Sequence, residues 1–237
     1  MSAVLNPDIV TDGLVLCLDA FVSKSYPGDG NIWYDLSNNS YNASLINSPE
    51  YIFDRSISFD GSNDYVSLSS PSDRFAWTPT GNGLNTMSIE LWIKTEDTSG
   101  LLVSKPWNGN GEYNYTIRCD SFNYRIGGES NGLGFASIAT GNWEHIVCIV
   151  TPTQAAIYIN GNLTVNFTNH NITNNIPTNG NSNLPLAIMT LYPYSSGWTG
   201  NAGFSILGEL SVCRIYNKIL LPNEVLQNFR FMKGRFD

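Results

Sequence analysis

The chain has 237 residues, with 12 Lys+Arg against 20 Asp+Glu, a net charge of −8, and only 14% charged against 42% hydrophobic residues. An acidic balance of this size repels phosphate, so neither nucleic acid nor an anionic membrane surface is expected as a partner. No apolar run approaches the roughly 20 residues needed to cross a bilayer, and Met1 is not followed by the basic and apolar stretches of a secretory leader.

Composition points to strands and turns. The chain holds 29 Asn, 21 Gly and 11 Pro, clustered at Asn38-Asn39, Asn174-Asn175 and residues 177–183. Asn tolerates the left-handed region and bonds its own backbone, and Gly carries no Cβ penalty, so both mark turns. Asn-x-Ser/Thr triplets begin at Asn38, Asn42, Asn114, Asn162, Asn166 and Asn171 and read as turn chemistry. A chain of this length buries roughly three quarters of its unfolded surface and needs no disulfide or metal to fold.

In chain order, residues 13–20 read as a first strand buried on both faces. Residues 56–60 alternate polar and apolar as a half-buried strand does. Asp60-Gly-Ser-Asn-Asp64 is a turn, and residues 65–68 return from it. Residues 87–94 alternate cleanly, with Met87, Ile89, Leu91 and Ile93 on one side. Further short strands are expected at 101–104, 113–117, 123–126, 143–150, 155–159, 162–165, 184–189 and 204–216. Asn160-Gly161 is a strong hairpin signal, because both turn positions need positive φ. One helix is expected after Leu221: Pro222 suits its first turn, Glu224 its positive end, and Leu221, Val225 and Phe229 share a face. About a dozen short strands separated by turns predict an all-β fold, a two-sheet antiparallel sandwich with one short C-terminal helix. No linker or repeat divides it, so residues 1–12 form an arm and 13–237 a single domain.

The four Cys, at 17, 119, 148 and 213, lack metal-ligand spacing. Cys17, Cys148 and Cys213 lie in apolar runs and read as buried thiols. A Cys17–Cys213 bridge between terminal strands stays open, and it would imply an oxidising compartment.

Residues 13–20, 25–28 and 33–37, the turn Phe59-Asp-Gly-Ser-Asn-Asp-Tyr-Val66, the strand blocks 88–93, 143–147 and 157–161, and the closing blocks 215–220 and 224–229 resemble laminin-G-like, concanavalin A-type jelly-roll domains. The opening and the tail 233–236 are similar to versions found in virion proteins of tailed phages, especially those of aquatic bacteria such as cyanobacteria. The sequence departs from that pattern at Leu221, where a Ser or Asp N-cap usually stands, so the capping partner of Glu224 is missing.

The resemblance includes glucanases, which need two carboxylates about 5–5.5 Å apart, two or four residues apart on one strand face. Here Glu90 has Ser88 and Trp92 as same-face neighbours, and Glu144 stands alone beside His145. His145 reads as a structural histidine, and His170 has no acidic or thiol companion. The Gly-rich pieces 127–128 and 132–134 lack the Lys and the strand–helix context of a phosphate loop. No catalytic residue is therefore assigned, and the expectation is a non-enzymatic protein.

Two binding chemistries follow from the resemblance. Many laminin-G-like domains hold Ca²⁺, which wants six to eight oxygens; Asp60 and Asp64 are the candidate metal ligands, against the simpler reading that they brace a turn. Sugar sites combine exposed aromatics with a few placed polar groups. Two loops have that mix: residues 105–113, with Trp107, Glu112 and Tyr113, and residues 191–201, with Tyr194 and Trp198; Trp77 is a weaker third. The same aromatics also suit subunit contacts. The resemblance thus implies a virion structural protein of a tailed phage, a capsid decoration or fibre component displaying a lectin-like domain, assembled in the bacterial host cytoplasm. Its partners would be other virion proteins and further copies of itself. The alternative is a carbohydrate-binding adhesin recognising host cell-surface polysaccharide.

Overall fold

The computed structural model describes residues 8–52, 55–68, 75–76, 85–98, 100–106, 113–126, 129–168, 184–191 and 204–237. Among these, the elements in chain order are β1 (Leu14–Asp19), β2 (Ile32–Trp33), β3 (Ala43–Ile46), β4 (Glu50–Ile52), β5 (Ser56–Asp60), β6 (Tyr65–Leu68), β7 (Met87–Thr95), β8 (Leu101–Pro106), β9 (Tyr113–Arg118), β10 (Ser121–Ile126), β11 (Glu129–Gly134), β12 (Trp143–Val150), β13 (Gln154–Ile159), β14 (Asn162–Thr168), β15 (Leu186–Ile188), β16 (Leu207–Tyr216) and α1 (Pro222–Lys233).

They form two 8-stranded sheets with antiparallel neighbours. The first runs β14-β13-β12-β7-β16-β5-β4, with β1 added to β16; the second runs β11-β10-β9-β8-β15-β6-β3-β2. The ten-residue β16 organises the first sheet. It pairs with β7 along one edge and, along the other, with β5 over its first half and β1 over its second. The expected all-β sandwich with a C-terminal helix is therefore the fold of the chain.

The inner faces meet in one core. Ile89, Leu91 and Ile93 of β7, Ile146, Cys148 and Val150 of β12, and Cys213 and Ile215 of β16 pack with Val66, Val103, Tyr115, Ile117, Phe122 and Ile188 of the second sheet. Strand periodicity dictates this, since alternate side chains leave a strand on opposite faces. The same alternation separates Cys17 from Cys213. Cys17 stands opposite Arg214, whereas Cys213 stands opposite Leu18 in the core, so the two thiols point to opposite sides of the sheet. All four Cys are free and buried, which corrects the open Cys17–Cys213 pairing. Burial pushes the Cys119 thiol up to about 12 and raises those of Cys148 and Cys213 further.

The Asn160-Gly161 turn forms as expected, with φ of 50° and 78°. Asn160 also ties the hairpin sideways: its Oδ1 accepts from the His145 backbone N–H at 2.9 Å and its Nδ2 donates to Glu144. Strands β2, β3, β4 and β11 are additional to the expected set. The first three are only two to four residues long, and β11, Glu-Ser-Asn-Gly-Leu-Gly, has the composition of a loop. It is a strand because all six of its residues find partners on β10.

The outer face of the first sheet is half covered. Helix α1 lays Val225 and Met232, both fully buried, across β7, β12 and β16. Beyond it, Trp92 stacks on Phe229 and Phe236, with ring centroids 5.7 and 4.3 Å apart. Residues 8–12 of the arm lie along the helix, where the Val10 N–H donates to Asn228 at 2.8 Å. Leu221 is not part of the buried stripe: it is the N-cap residue, half exposed and without a side-chain acceptor. Only half of a capping box exists, the Leu221 N–H donating to Glu224 at 2.8 Å.

Candidate functional site

The outer-face residues of β7, β12 and β16 fall into rows across the sheet. In register, Glu90 faces Val147 on one side and Arg214 on the other, and Trp92 faces His145 and Val212. Under α1 this assembles a buried polar cluster. Glu90 Oε1 accepts from His145 Nε2 at 3.0 Å and from Arg214 Nη1 at 3.2 Å. Its Oε2 accepts from Asn228 Nδ2 at 2.8 Å and from the Tyr216 hydroxyl at 3.2 Å. Asp19 lies 3.5 Å from Arg214 and 2.9 Å from Arg235, closing the chain of charges at the β1 edge.

Burial alone would push the Glu90 carboxyl up. The Arg214 charge and the hydrogen bonds from His145 and Asn228 outweigh it and hold the group at about 2. Glu90 is therefore ionised, and an ionised carboxylate only accepts, so His145 donates through Nε2 while its buried Nδ1 finds no partner among the described residues. Glu90, His145 and Asn228 are completely shielded from solvent. A carboxylate so sealed reaches no substrate; these residues attach the helix to the sheet. His145 is thus structural, as its place beside Trp143 suggests.

The expected metal ligands lie in the β5–β6 turn. Asp60 Oδ1 accepts from the Ser62 N–H at 2.8 Å, and Asp64 Oδ2 accepts from the Asp60 N–H at 3.3 Å. Burial, and then the neighbouring Asp60 charge, raise the Asp64 pKa. These contacts are those of a braced turn. Among the described residues no group of three or more His, Cys, Asp or Glu is placed to hold a metal ion.

Of the expected sugar contacts, Tyr113 is half buried at the start of β9, opposite Pro106. Trp107, Glu112, Tyr194 and Trp198, like Trp77 and His170, lie outside the described residues. Their flanking residues show that the two loops spring from opposite ends of β8. The 107–112 segment leaves from Pro106 and rejoins at Tyr113. The 192–203 segment leaves from Leu191 and rejoins at Phe204, whose carbonyl accepts from the Leu101 N–H at 2.9 Å.

An open cleft of about 460 Å³ lies at that second end, lined by Ser58, Lys94, Glu96, Asp97, Leu207 and Glu209 together with Thr95, Gly141 and Gly208. Its floor continues the outer-face rows past the reach of the helix. Ser58 of β5 faces Glu209 of β16, which faces Lys94 of β7. Lys94 Nζ donates to Glu209 Oε1 at 3.3 Å, and the Ser56 hydroxyl donates to Glu209 Oε2 at 2.6 Å. Leu207 is 61% exposed beside them. These residues escaped the sequence reading because nothing local marks them; their one signal is the polar side of the alternation at 56–58, 94 and 209.

A laminin-G family model, described as the concanavalin A-like lectin/glucanases superfamily, matches residues 60–226. The chain belongs to this family. No curated protein matches the sequence. Among solved structures, this laminin-G-like chain is similar to the botulinum neurotoxin serotype D binding domain, with 12% identity, a TM-score of 0.62, and coverage of 93% of this chain and 52% of that one. It is similar to the binding domain of Paraclostridial Mosquitocidal Protein 1, at 15% identity and TM-score 0.62, covering 92% and 52%. It is also similar to Trypanosoma rangeli sialidase in complex with 2,3-difluorosialic acid, at 15% identity and TM-score 0.63, covering 94% and 33%. The chain thus spans about half the length of the toxin binding domains and a third of the sialidase. At such identities the likeness is one of fold.

Proposed function

We propose that this laminin-G-like chain is a non-catalytic, glycan-recognising domain that serves as a structural protein of a tailed-phage virion, on the capsid surface or on a fibre. One observation carries the non-catalytic part. The sandwich is that of the lectin/glucanase family, yet Glu90, the one acidic residue of the central strand β7, is sealed under α1 in an ion pair with Arg214. The open cleft beside the stem of the Tyr194 and Trp198 loop supports carbohydrate as the ligand, the mixed apolar and polar lining such sites need. The virion part rests on the resemblance of residues 13–37 and 233–236 to phage virion proteins. Free buried thiols suit assembly in a reducing host cytoplasm, and a net charge of −8 suits a shell of many soluble copies. Its partners are then capsid or tail proteins, further copies of itself, and cell-surface polysaccharide.

Immunogold labelling of intact particles with antibody against the purified domain tests the location. Label over the heads supports decoration, and label confined to tail or fibres favours the adhesin reading. Particles without label overturn the virion assignment. A glycan array probed with the same protein tests the ligand, and binding to no glycan overturns that part.

A further inference from the structure

The open end of the outer face suggests which sugars the domain takes. We propose that the cleft between β5, β16 and β7 binds an uncharged sugar residue and rejects acidic ones, an inference that rests on the glycan-binding reading above. Its floor presents a donor and an acceptor side by side. The Lys94 ammonium uses one of its three N–H donors on Glu209, 3.3 Å away, and both side chains keep exposed surface, 40% and 22% respectively. Glu209 Oε2 already accepts from Ser56, which fixes the carboxylate in place. Adjacent hydroxyls on a pyranose can therefore donate to Glu209 and accept from Lys94 together, while the exposed Leu207 offers an apolar surface to the C–H face of the ring. The site is held by strand pairing, because Ser58, Glu209 and Lys94 are register partners on three adjacent strands. Placement on rigid strands keeps such contacts in geometry without an ordering cost on binding.

Charge decides the class of sugar. Glu209 and Glu96 line the cleft with Lys94 as the cation beside them, so this pair of acids outweighs it and the lining repels a carboxylated or sulfated sugar. Glu209 is matched by Lys94 and Ser56 and has no unmet need for a ligand cation. An uncharged, polyhydroxylated ring is what remains.

The test is a glycan array on the whole protein, carrying neutral hexose oligosaccharides beside sialylated and uronate-containing ones, followed by affinities for Lys94→Met and Glu209→Gln. Neutral oligosaccharides should bind and acidic ones should not. Each substitution should weaken binding roughly tenfold, the loss of one charge-assisted hydrogen bond, with thermal melting showing that both variants stay folded. Acidic glycans binding as well as neutral ones overturns the proposal. So does binding that survives both substitutions; if Trp107→Ala then abolishes it, glycan recognition stands and its site is the other loop. Binding of no glycan at all removes both readings.

Discussion

Replacing Glu90 by Gln keeps the shape of the side chain and removes its charge, and its cost can be worked out in two ways. Glu90 accepts four hydrogen bonds, from His145 and Arg214 on one oxygen and from Asn228 and Tyr216 on the other. A glutamine amide placed at either oxygen turns its own donors toward groups that also donate. Among the described residues, Arg214, 1% exposed, would keep only Asp19 at 3.5 Å as its acidic partner. Breaking a buried pair in this way costs about 3–5 kcal/mol. Titration gives the second route. The folded carboxyl sits at about 2 against an ordinary 4.5, and at 1.36 kcal/mol per unit that is about 3 kcal/mol. Because the folded pKa is depressed, this stability is fully present above the unfolded value and is lost as pH falls through it toward 2. Glu90→Gln should therefore lower the melting temperature at pH 7 by about 10 °C, at 2–4 °C per kcal/mol for a chain of this size. The difference from wild type should shrink below pH 4. A scanning-calorimetry series from pH 7 to pH 3 reads both effects. A loss under about 1 kcal/mol at pH 7, or a difference that does not narrow in acid, would refute the picture of an ionised, fully committed carboxylate.

Four further outcomes follow. Leu221→Asp installs the missing N-cap at a half-exposed residue in extended conformation and should raise stability by about 1 kcal/mol, read by urea denaturation. Gly61→Ala should cost about 1–2 kcal/mol, because φ there is +74° and the added Cβ would lie 2.9 Å from Leu207 Cβ; a neutral result would mean the turn can relax. Thiol titration should find almost no reactive Cys in the native protein and all four after unfolding, with reductant leaving the melting temperature unchanged. Calcium and chelator should likewise leave melting unchanged, since the Asp60 and Asp64 contacts are those of the turn itself; a clear rise with calcium would show that the turn binds it.

What the sequence made legible was whatever short-range chemistry decides. The alternation of β5 and β7, the Asn160-Gly161 turn and the Asp60–Asp64 turn each depend on neighbours within a few residues, and all three form as read. Glu90 was visible as an isolated acid among apolar neighbours, but its partners were not. His145, Arg214 and Asn228 are 55, 124 and 138 residues away along the chain. The strand order β12-β7-β16 brings His145 and Arg214 to one face with Glu90, and α1 lays Asn228 over them. The Cys17–Cys213 question was undecidable for the same reason, since adjacent strands were foreseeable and their register was not. Strand β11 was hidden because its Gly- and Asn-rich composition argues for a loop, and pairing with β10 overrides that preference. The two aromatic loops were each read as a candidate sugar site, with no placement relative to one another. Their stems, at opposite ends of β8, make them two separate places.

The cleft is a consequence of where the helix stops. Outer-face positions alternate along β7 as Ser88, Glu90, Trp92 and Lys94. The first three are covered: Ser88 accepts from the Leu220 N–H at 3.0 Å, Glu90 binds Asn228, and Trp92 stacks on Phe229 and Phe236. In the Lys94 row Phe236 still covers Trp143, its ring 4.7 Å away, but Lys94 and its Glu209 pair stand partly in solvent. Glu90 and Glu209, both on the outer face, are therefore used in opposite ways. Glu90, paired with Arg214 out of water, anchors the helix and is costly to disturb. Glu209, paired with Lys94 at the edge of water, contributes at most about 1 kcal/mol to stability and is free to exchange part of its hydrogen bonding for a ligand's. On this reasoning Glu209→Gln changes stability by at most about 1 kcal/mol while Glu90→Gln costs about 3–5 kcal/mol, and any ligand effect belongs to Glu209. A reversed outcome, with Glu209→Gln unfolding the protein, would show that the Lys94 row belongs to the structural cluster and not to a binding surface.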